Sequence, residues 1–183
     1  MKRLLSRFLA VPLAFILTLS CSEEQDFNQF DDLTVTPTVA SSIFYLESTE
    51  EMINAVPTFP VFYSQEFSFN PFNEQFVADH LLDGMLLYEL ENTTSKQLTL
   101  TIEFMDDANT VLDTETFTIE PEPAPLLTRE VAYGPGGKNL DILTNTTRLR
   151  VSGQNLGDNT SVSPIADPTI IFRSAGEFRF RLQ

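Results

Sequence analysis

Residues 96–105 alternate without a fault: Leu98, Leu100, Ile102 and Phe104 fall in one phase, Gln97, Thr99, Thr101 and Glu103 in the other. A period of two over this length is the mark of a half-buried antiparallel strand, because successive side chains leave a strand on opposite faces. The flanking segments carry the same signal. Residues 85–91 put Leu86, Tyr88 and Leu90 on one face. Residues 110–119 carry Thr114, Thr116 and Thr118, which favour strand over helix. The turn-forming runs 92–95 and 106–109 separate the three, so residues 85–119 are expected to form a three-stranded meander.

The rest of the chain reads in the same idiom. Short strands are expected at 33–39 and 41–46, broken at Pro37, and across 60–69. Ser48 and Glu51 have capping-box spacing, which predicts a short helix over 49–55, ended by Pro57. Residues 73–82 read equally as a short helix or an irregular strand. Pro121, Pro123 and Pro125 form a stiff connector, and a strand follows over 126–133. One helical turn is expected at 139–143 and a strand at 146–152. Residues 154–168 are polar and loop-like. Residues 169–172 and 177–182 suggest a closing hairpin turned at Ser174-Ala175-Gly176. Seven to nine short strands with so little helix predict an all-β chain: an antiparallel β-sandwich, immunoglobulin-like, with one or two short helices. A barrel is the alternative. A membrane-spanning barrel would need an apolar outward band, and one face of each clear strand here is polar.

The first 26 residues carry a different message. Lys2, Arg3 and Arg7 precede an apolar run over 8–19, the pattern of a secretory signal. A run of about 12 residues is too short to span a bilayer, which takes roughly 20. Thr18-Leu19-Ser20 then leads to Cys21, the sole cysteine, and the polar run Ser22-Glu23-Glu24-Gln25-Asp26 follows. Thr18-Leu19-Ser20-Cys21 resembles the lipobox of bacterial lipoproteins, in the loose form of the Bacteroidota, with Leu17 and Leu19 on either side of Thr18. The resemblance implies cleavage before Cys21, acylation of its thiol and attachment to a lipid bilayer. Two or more acyl chains hold a protein stably where one does not. Ser22-Glu23-Glu24 resembles the acidic signal that carries Bacteroidota lipoproteins across the outer membrane. The resemblance implies an outer-membrane lipoprotein at the cell surface, the periplasm-facing leaflet being the alternative. An ordinary signal peptide is the plainer reading of the same residues. The expected organisation is a signal peptide over 1–20, an acidic tether over 21–32 and one sandwich domain over 33–183.

Composition narrows the function. Cleavage before Cys21 removes three bases and no acid, taking the formal charge from −15 to −18. Such a chain repels nucleic acid, so no nucleic-acid partner is expected. With Cys21 acylated no cysteine remains for disulfides, thiol catalysis or cysteine-bound zinc. His80 is the only histidine, which excludes any two-histidine site. No cofactor or metal is expected.

Individual motifs add little. Gly134-Pro135-Gly136-Gly137-Lys138 lacks the spacing of a phosphate loop, since Ala132 stands where a glycine is required. Asp106, Asp107, Asn109 and Asp113 lack the glycine and regular spacing of a calcium loop. Asp79, His80 and Asp83 suggest a general base, with no nucleophile elbow to serve. Glycoside hydrolysis needs two placed carboxylates, and the 26 acids make any pair imaginable. Tryptophan is absent, so Tyr45, Tyr63, Tyr88 and Tyr133 are the side chains left to stack on a sugar. Arg148 and Arg150 alternate outward on one strand, Arg179 and Arg181 on another. If those strands pair, the four form an anion or partner patch; otherwise they face acids on neighbouring strands. The expected function is that of a non-enzymatic, lipid-anchored envelope protein acting as a binding or structural module at the outer membrane, with a protein or glycan partner. A small lipid-anchored hydrolase acting on polymers is the alternative.

Overall fold

The computed structural model describes residues 34–56, 60–72 and 74–182. The signal peptide, Cys21, Ser22, Glu23, Glu24 and the tether lie outside the described residues.

Among the described residues the chain forms β1 (Thr38–Thr49), α1 (Glu50–Asn54), β2 (Val61–Ser68), α2 (Gln75–His80), β3 (Leu81–Asn92), β4 (Leu98–Met105), β5 (Val111–Ile119), β6 (Leu127–Tyr133), α3 (Asp141–Asn145), β7 (Arg148–Asn155) and β8 (Thr169–Phe180). The strands make two four-stranded antiparallel sheets, ordered β1-β8-β3-β6 and β2-β7-β4-β5. The order follows from one long folded ribbon. β4 and β5 are the hairpin at its tip, and behind them β3 pairs with β6, β2 with β7 and β1 with β8. Rolling the ribbon adds the β3–β8 and β4–β7 pairs. This is a jelly roll. The expected all-β antiparallel sandwich is present. Its strand order differs from the expected immunoglobulin connectivity, and its short helices number three.

Alternation puts one face of each sheet into a shared core. Leu86, Tyr88 and Leu90 of β3 face Leu98, Leu100, Ile102 and Phe104 of β4 across the sandwich, all at most 1% exposed. β8 adds Ile170, Phe172 and Phe178, β5 adds Phe117 and Ile119, and β7 adds Leu149 and Val151. Phe172 is central. Its ring meets Phe44 at 4.9 Å, Phe117 at 5.4 Å and Tyr88 at 6.2 Å between centroids, distances at which edge-to-face pairs add to simple burial.

Four expectations about elements change. Residues 85–105 are not two strands of a meander: β3 and β4 lie in opposite sheets. Both have an apolar phase, and a period of two is the same whether strands pair side by side or stack face to face. The connection is held by Asn92, whose Oδ1 accepts from the Thr94 amide and hydroxyl and whose Nδ2 donates to the Lys96 and Glu120 carbonyls. Residues 169–180 are one strand rather than a hairpin. Gly176 sits beneath the Phe178 ring, where a Cβ would come within 2.6 Å of Cζ, so this glycine makes room for an aromatic ring and turns nothing. The two strands expected around Pro37 are the single β1, which starts after the proline and carries a register shift at Ser42/Phe44. Helix α1 is capped by Thr49, whose hydroxyl accepts from the Met52 amide at 3.2 Å. Ser48 is buried in β1 instead. The ambiguous stretch 73–82 contains α2 and passes directly into β3.

Candidate functional site

Three polar arrangements stand out, one buried at an end of the sandwich, one along its side and one on its outer face. At one end, α1, the β3–β4 connection and the long β7–β8 connection converge on two buried charges. Lys96 is fully buried, and its Nζ donates to Asp158 Oδ1 at 3.2 Å, the Ser161 carbonyl at 2.7 Å and Ser161 Oγ at 2.6 Å. Glu50 is 2% exposed. Its Oε1 accepts from the Ser95 amide and hydroxyl at 2.7 and 2.6 Å, and its Oε2 from the Ser163 amide at 2.7 Å. Ser95 Oγ and Ser161 Oγ are 3.0 Å apart and join the two halves. Burial pushes the Glu50 carboxyl up, but the Ser163 and Ser95 donors and the nearby Lys96 outweigh it and hold the group below its ordinary value. Asp158 is held far lower still by the Ser161 and Thr160 amides and by Lys96.

A lysine bonded to a serine hydroxyl invites comparison with serine–lysine catalysis. The geometry answers differently. Lys96 is saturated by three acceptors and closed to solvent, and each Glu50 oxygen already holds a donor. The cluster spends its polar capacity on pinning the 156–168 connection to the sandwich. It is a clamp.

The second arrangement seals the side of the sandwich between β5 and β6. Lys138 Nζ bonds Asp113 and Glu115 at 2.6 Å each. Arg129 reaches Glu115 at 3.3 Å, with its guanidinium carbon 4.1 Å from the Phe117 ring centre, a cation–π distance. Burial works against the Lys138 ammonium, but its two carboxylate partners outweigh it and raise its pKa. Burial pushes the Tyr88 and Tyr133 hydroxyls well above their ordinary value. The glycine run 134–137 is thus a turn, with Gly134 and Gly136 at positive φ, that delivers Lys138 to this seal. Asp113 belongs to it as well. Asp106 accepts from the Thr110 amide within its own turn. The residues of the calcium reading therefore serve two separate tasks.

The third arrangement lies on the outer face of β1-β8-β3-β6. Phe172, Ser174, Gly176 and Phe178 of β8 point inward and are buried, so Arg173, Ala175, Glu177 and Arg179 point outward. Two open hollows follow β8. One is lined by Thr38, Asp83, Gly84, Met85, Glu177 and Arg179. The other is lined by Ser42, Leu87, Glu89, Arg173, Ser174 and Ala175. Arg179 Nε donates to Asp83 at 3.1 Å, and its Nη2 also bonds that carboxylate. Arg173 forms an ion pair with Glu89 at 3.1 Å and approaches Glu91 at 3.6 Å. Tyr45 stands opposite Arg173 in the register, 56% exposed, its hydroxyl donating to Glu47 at 2.7 Å.

The four arginines read from the sequence do not form one patch. β7, which carries Arg148 and Arg150, and β8, which carries Arg179, belong to different sheets, and Arg181 follows β8. Arg150 bonds Glu66 at 2.8 Å and Glu103 at 3.0 Å. Arg148 lies 3.7 Å from Glu66 and donates to the Asp106 carbonyl at 3.2 Å. Cross-strand pairing with acids is what the register provides for Arg148, Arg150 and Arg179. His80 stacks on Phe76 at 4.1 Å, and its Nδ1 lies 2.6 Å from the Phe76 carbonyl. Tyr88 and Tyr133 are core residues and Tyr63 is half-buried, so Tyr45 is the exposed tyrosine. Arg173 and the clamp were missed. Lys96 is in phase with Leu98 and Leu100, and that alternation could have shown it facing inward.

No family model matches the chain, and no curated protein matches it. Among solved structures it is similar to the VP2 subviral particle of infectious bursal disease virus, at 9% identity and TM-score 0.37, covering 82% of this chain and 33% of that one. Desmodium yellow mottle tymovirus gives 7% identity and TM-score 0.35 over 82% and 83% of the two chains. A Bacillus endospore appendage that forms disulfide-linked pili gives 14% identity and TM-score 0.30 over 81% and 92%. The chain spans about a third of the length of the first of these. Likeness at this level bears on neither partner nor activity.

Proposed function

We propose that this chain is a non-enzymatic, lipid-anchored module of the outer membrane that binds a protein or glycan partner through an outer sheet face. The observation that best supports binding is the division of its polar groups. The buried charges Glu50, Lys96 and Glu115 are paired or hydrogen-bonded within the clamp and the β5–β6 seal. Polar groups left to solvent include those on the open outer sheet face, in the two hollows along β8. A hydrolytic site would instead gather reactive groups in a concavity with capacity to spare.

Support for the anchor comes from residues 1–26. No helix among the described residues is long and apolar enough to cross a membrane, and the acylated Cys21 would supply the attachment. Protease digestion of intact cells tests this, comparing the natural chain with Cys21→Ala and with Glu23→Ala/Glu24→Ala. Digestion of the natural chain, and protection once the two acids are removed, is the expected result. Protection of the natural chain moves it to the periplasmic face. Release of the natural chain into the medium, no different from Cys21→Ala, overturns the anchor.

A further inference from the structure

Four strands end a sheet, and they are not alike. β1 runs for 12 residues, β2 for 8, β5 for 9 and β6 for 7. An exposed edge invites pairing with another chain, and proteins blunt such edges with brevity, proline, lysine or a covering element. On one side of the sandwich Arg129 of β6 and Lys138 form ion pairs with acids of β5. On the other, β1 holds no proline, lysine or arginine, and its first nine residues are uncharged.

The ladder shows which groups this edge offers. The Phe180 amide donates to the Pro37 carbonyl at 3.0 Å, one step beyond the Thr38–Arg179 pair. Bonded and unbonded pairs alternate along an antiparallel ladder. Val39 and Ser41 therefore bond β8, while Thr38, Ala40 and Ser42 turn their main-chain groups outward. At the far end the Glu50 amide donates to the Pro168 carbonyl at 2.9 Å, one step beyond Thr49–Thr169. Beyond the register shift, Phe44, Leu46 and Ser48 thus bond β8, and Tyr45 and Glu47 turn outward. Among the described residues none of these outward groups pairs with another strand. The Ser42 carbonyl takes the neighbouring Ser41 hydroxyl at 3.1 Å.

Amides and carbonyls alternating at strand spacing match the main chain of an extended polypeptide. Exposed Val39 and Tyr45 give such a strand apolar neighbours. Charge narrows it further. Arg173 and Arg179 are bonded to Glu89 and Asp83 of β3, across β8 from β1. Glu47 holds the Tyr45 hydroxyl, and Glu177 stands opposite Ala40. Both acids are exposed, and neither forms an ion pair among the described residues. A chain with a formal charge of −15 repels a second copy of itself, whereas a basic segment is drawn to Glu47 and Glu177. Resting on the proposed binding role, we infer that the β1 edge takes an extended, basic polypeptide segment of a protein partner, added as a fifth strand to β1-β8-β3-β6. Thr38 and Ser42 also line the two hollows, so the added strand adjoins the proposed binding face.

The test is selection of a phage-displayed library of random twelve-residue peptides, the length of β1, on the full chain in neutral detergent. The Kd and the amide hydrogen exchange of the chain with each enriched peptide follow. Enriched peptides are expected to carry lysine or arginine among β-branched and aromatic residues, with no internal proline. A bound peptide should slow exchange at Thr38, Ala40, Ser42, Tyr45 and Glu47, which exchange fast without it. Ala40→Pro removes an edge donor and no bond to β8, a place where strands accept proline. It should weaken binding about tenfold, the scale of one hydrogen bond with its partner left unpaired. Glu47→Lys/Glu177→Lys changes two exposed side chains, should abolish binding of the basic peptides, and decides the matter if the proline variant fails to fold. Basic peptides that bind the variants undiminished overturn the edge site while leaving a protein-binding role standing. Enrichment of no peptide, or of acidic ones, overturns it too. Slow exchange at Thr38, Ala40 and Ser42 before any peptide is added also overturns it, and assigns the edge to a second copy or another segment of this chain. Cleavage of the peptides overturns the non-enzymatic reading itself.

Discussion

Glu50 shows what one residue contributes. It is buried, yet its pKa lies below the ordinary glutamate value because three donors favour the charged form over the cost of desolvation. The sign of the pH dependence follows. A carboxylate whose folded pKa is depressed stabilises the fold above its unfolded value of about 4.3, and that contribution is lost as pH falls through the folded value. Glu50→Gln keeps one acceptor but sets an amide donor against the Ser163 or Ser95 amide. It should cost about 2–3 kcal/mol at neutral pH, the scale of a lost charge-assisted bond with a buried donor left over. Urea unfolding of both proteins between pH 8 and pH 3 checks the assignment. The difference should hold constant down to about pH 5 and shrink below about pH 4. A difference that grows on acidification would mean that Glu50 is protonated in the folded protein.

At the scale of elements, strand type was legible and strand partnership was not. The inward phase of Leu98, Leu100, Ile102 and Phe104 was correct, because the pleat alone sets it, and the alternation ends at Met105, which is buried out of phase. That β3 and β4 occupy opposite sheets was illegible, since pairing is decided by contacts between residues far apart in sequence. Ser174-Ala175-Gly176 misled for a related reason. Small residues mark turns when nothing packs on them, and here Phe178 does. The candidate face stayed hidden on the same ground: Arg173 and Asp83 are unremarkable singly, and only the β3–β8 register places them in the two hollows. The packing of Gly176 is testable. Gly176→Ala drives a methyl into Phe178 and should cost about 1–3 kcal/mol, the range for overpacked cores. Gly176→Ala/Phe178→Leu should cost less than the two single costs added. Thermal unfolding of the four proteins closes the cycle, and strict additivity would show that the glycine is needed for its backbone and not for the ring.

For the whole molecule, the rolled ribbon dictates an order of contacts. The β4–β5 hairpin joins residues close in sequence, such as Phe104 with Asp113, whereas β1–β8 joins Thr38 with Arg179. Closing a loop costs chain entropy that grows with its length, and folds dominated by long-range pairs form slowly, in milliseconds to seconds. Each pair farther from the tip encloses a longer loop unless the pair inside it has already formed. Folding that starts at the tip therefore meets a short closure at every step, and folding that starts at the ends meets the longest closure first. The β4–β5 region should be structured in the transition state and the β1–β8 pair should not. Ile102→Val on β4 should slow folding with a φ-value above about 0.5, and Leu46→Ala on β1 should act almost wholly on unfolding, with a φ-value near zero. Both side chains are core residues, at 0% and 3% exposure, and truncations of this kind cost about 0.5–1.5 kcal/mol for isoleucine to valine and about 2–5 kcal/mol for leucine to alanine. The leucine change is comfortably measurable and the isoleucine change sits at the edge of reliable φ analysis, so Phe117→Leu on β5 serves as the second probe of the tip. A high φ-value at Leu46 with low values at Ile102 and Phe117 would place the nucleus where the chain ends meet and reverse the order.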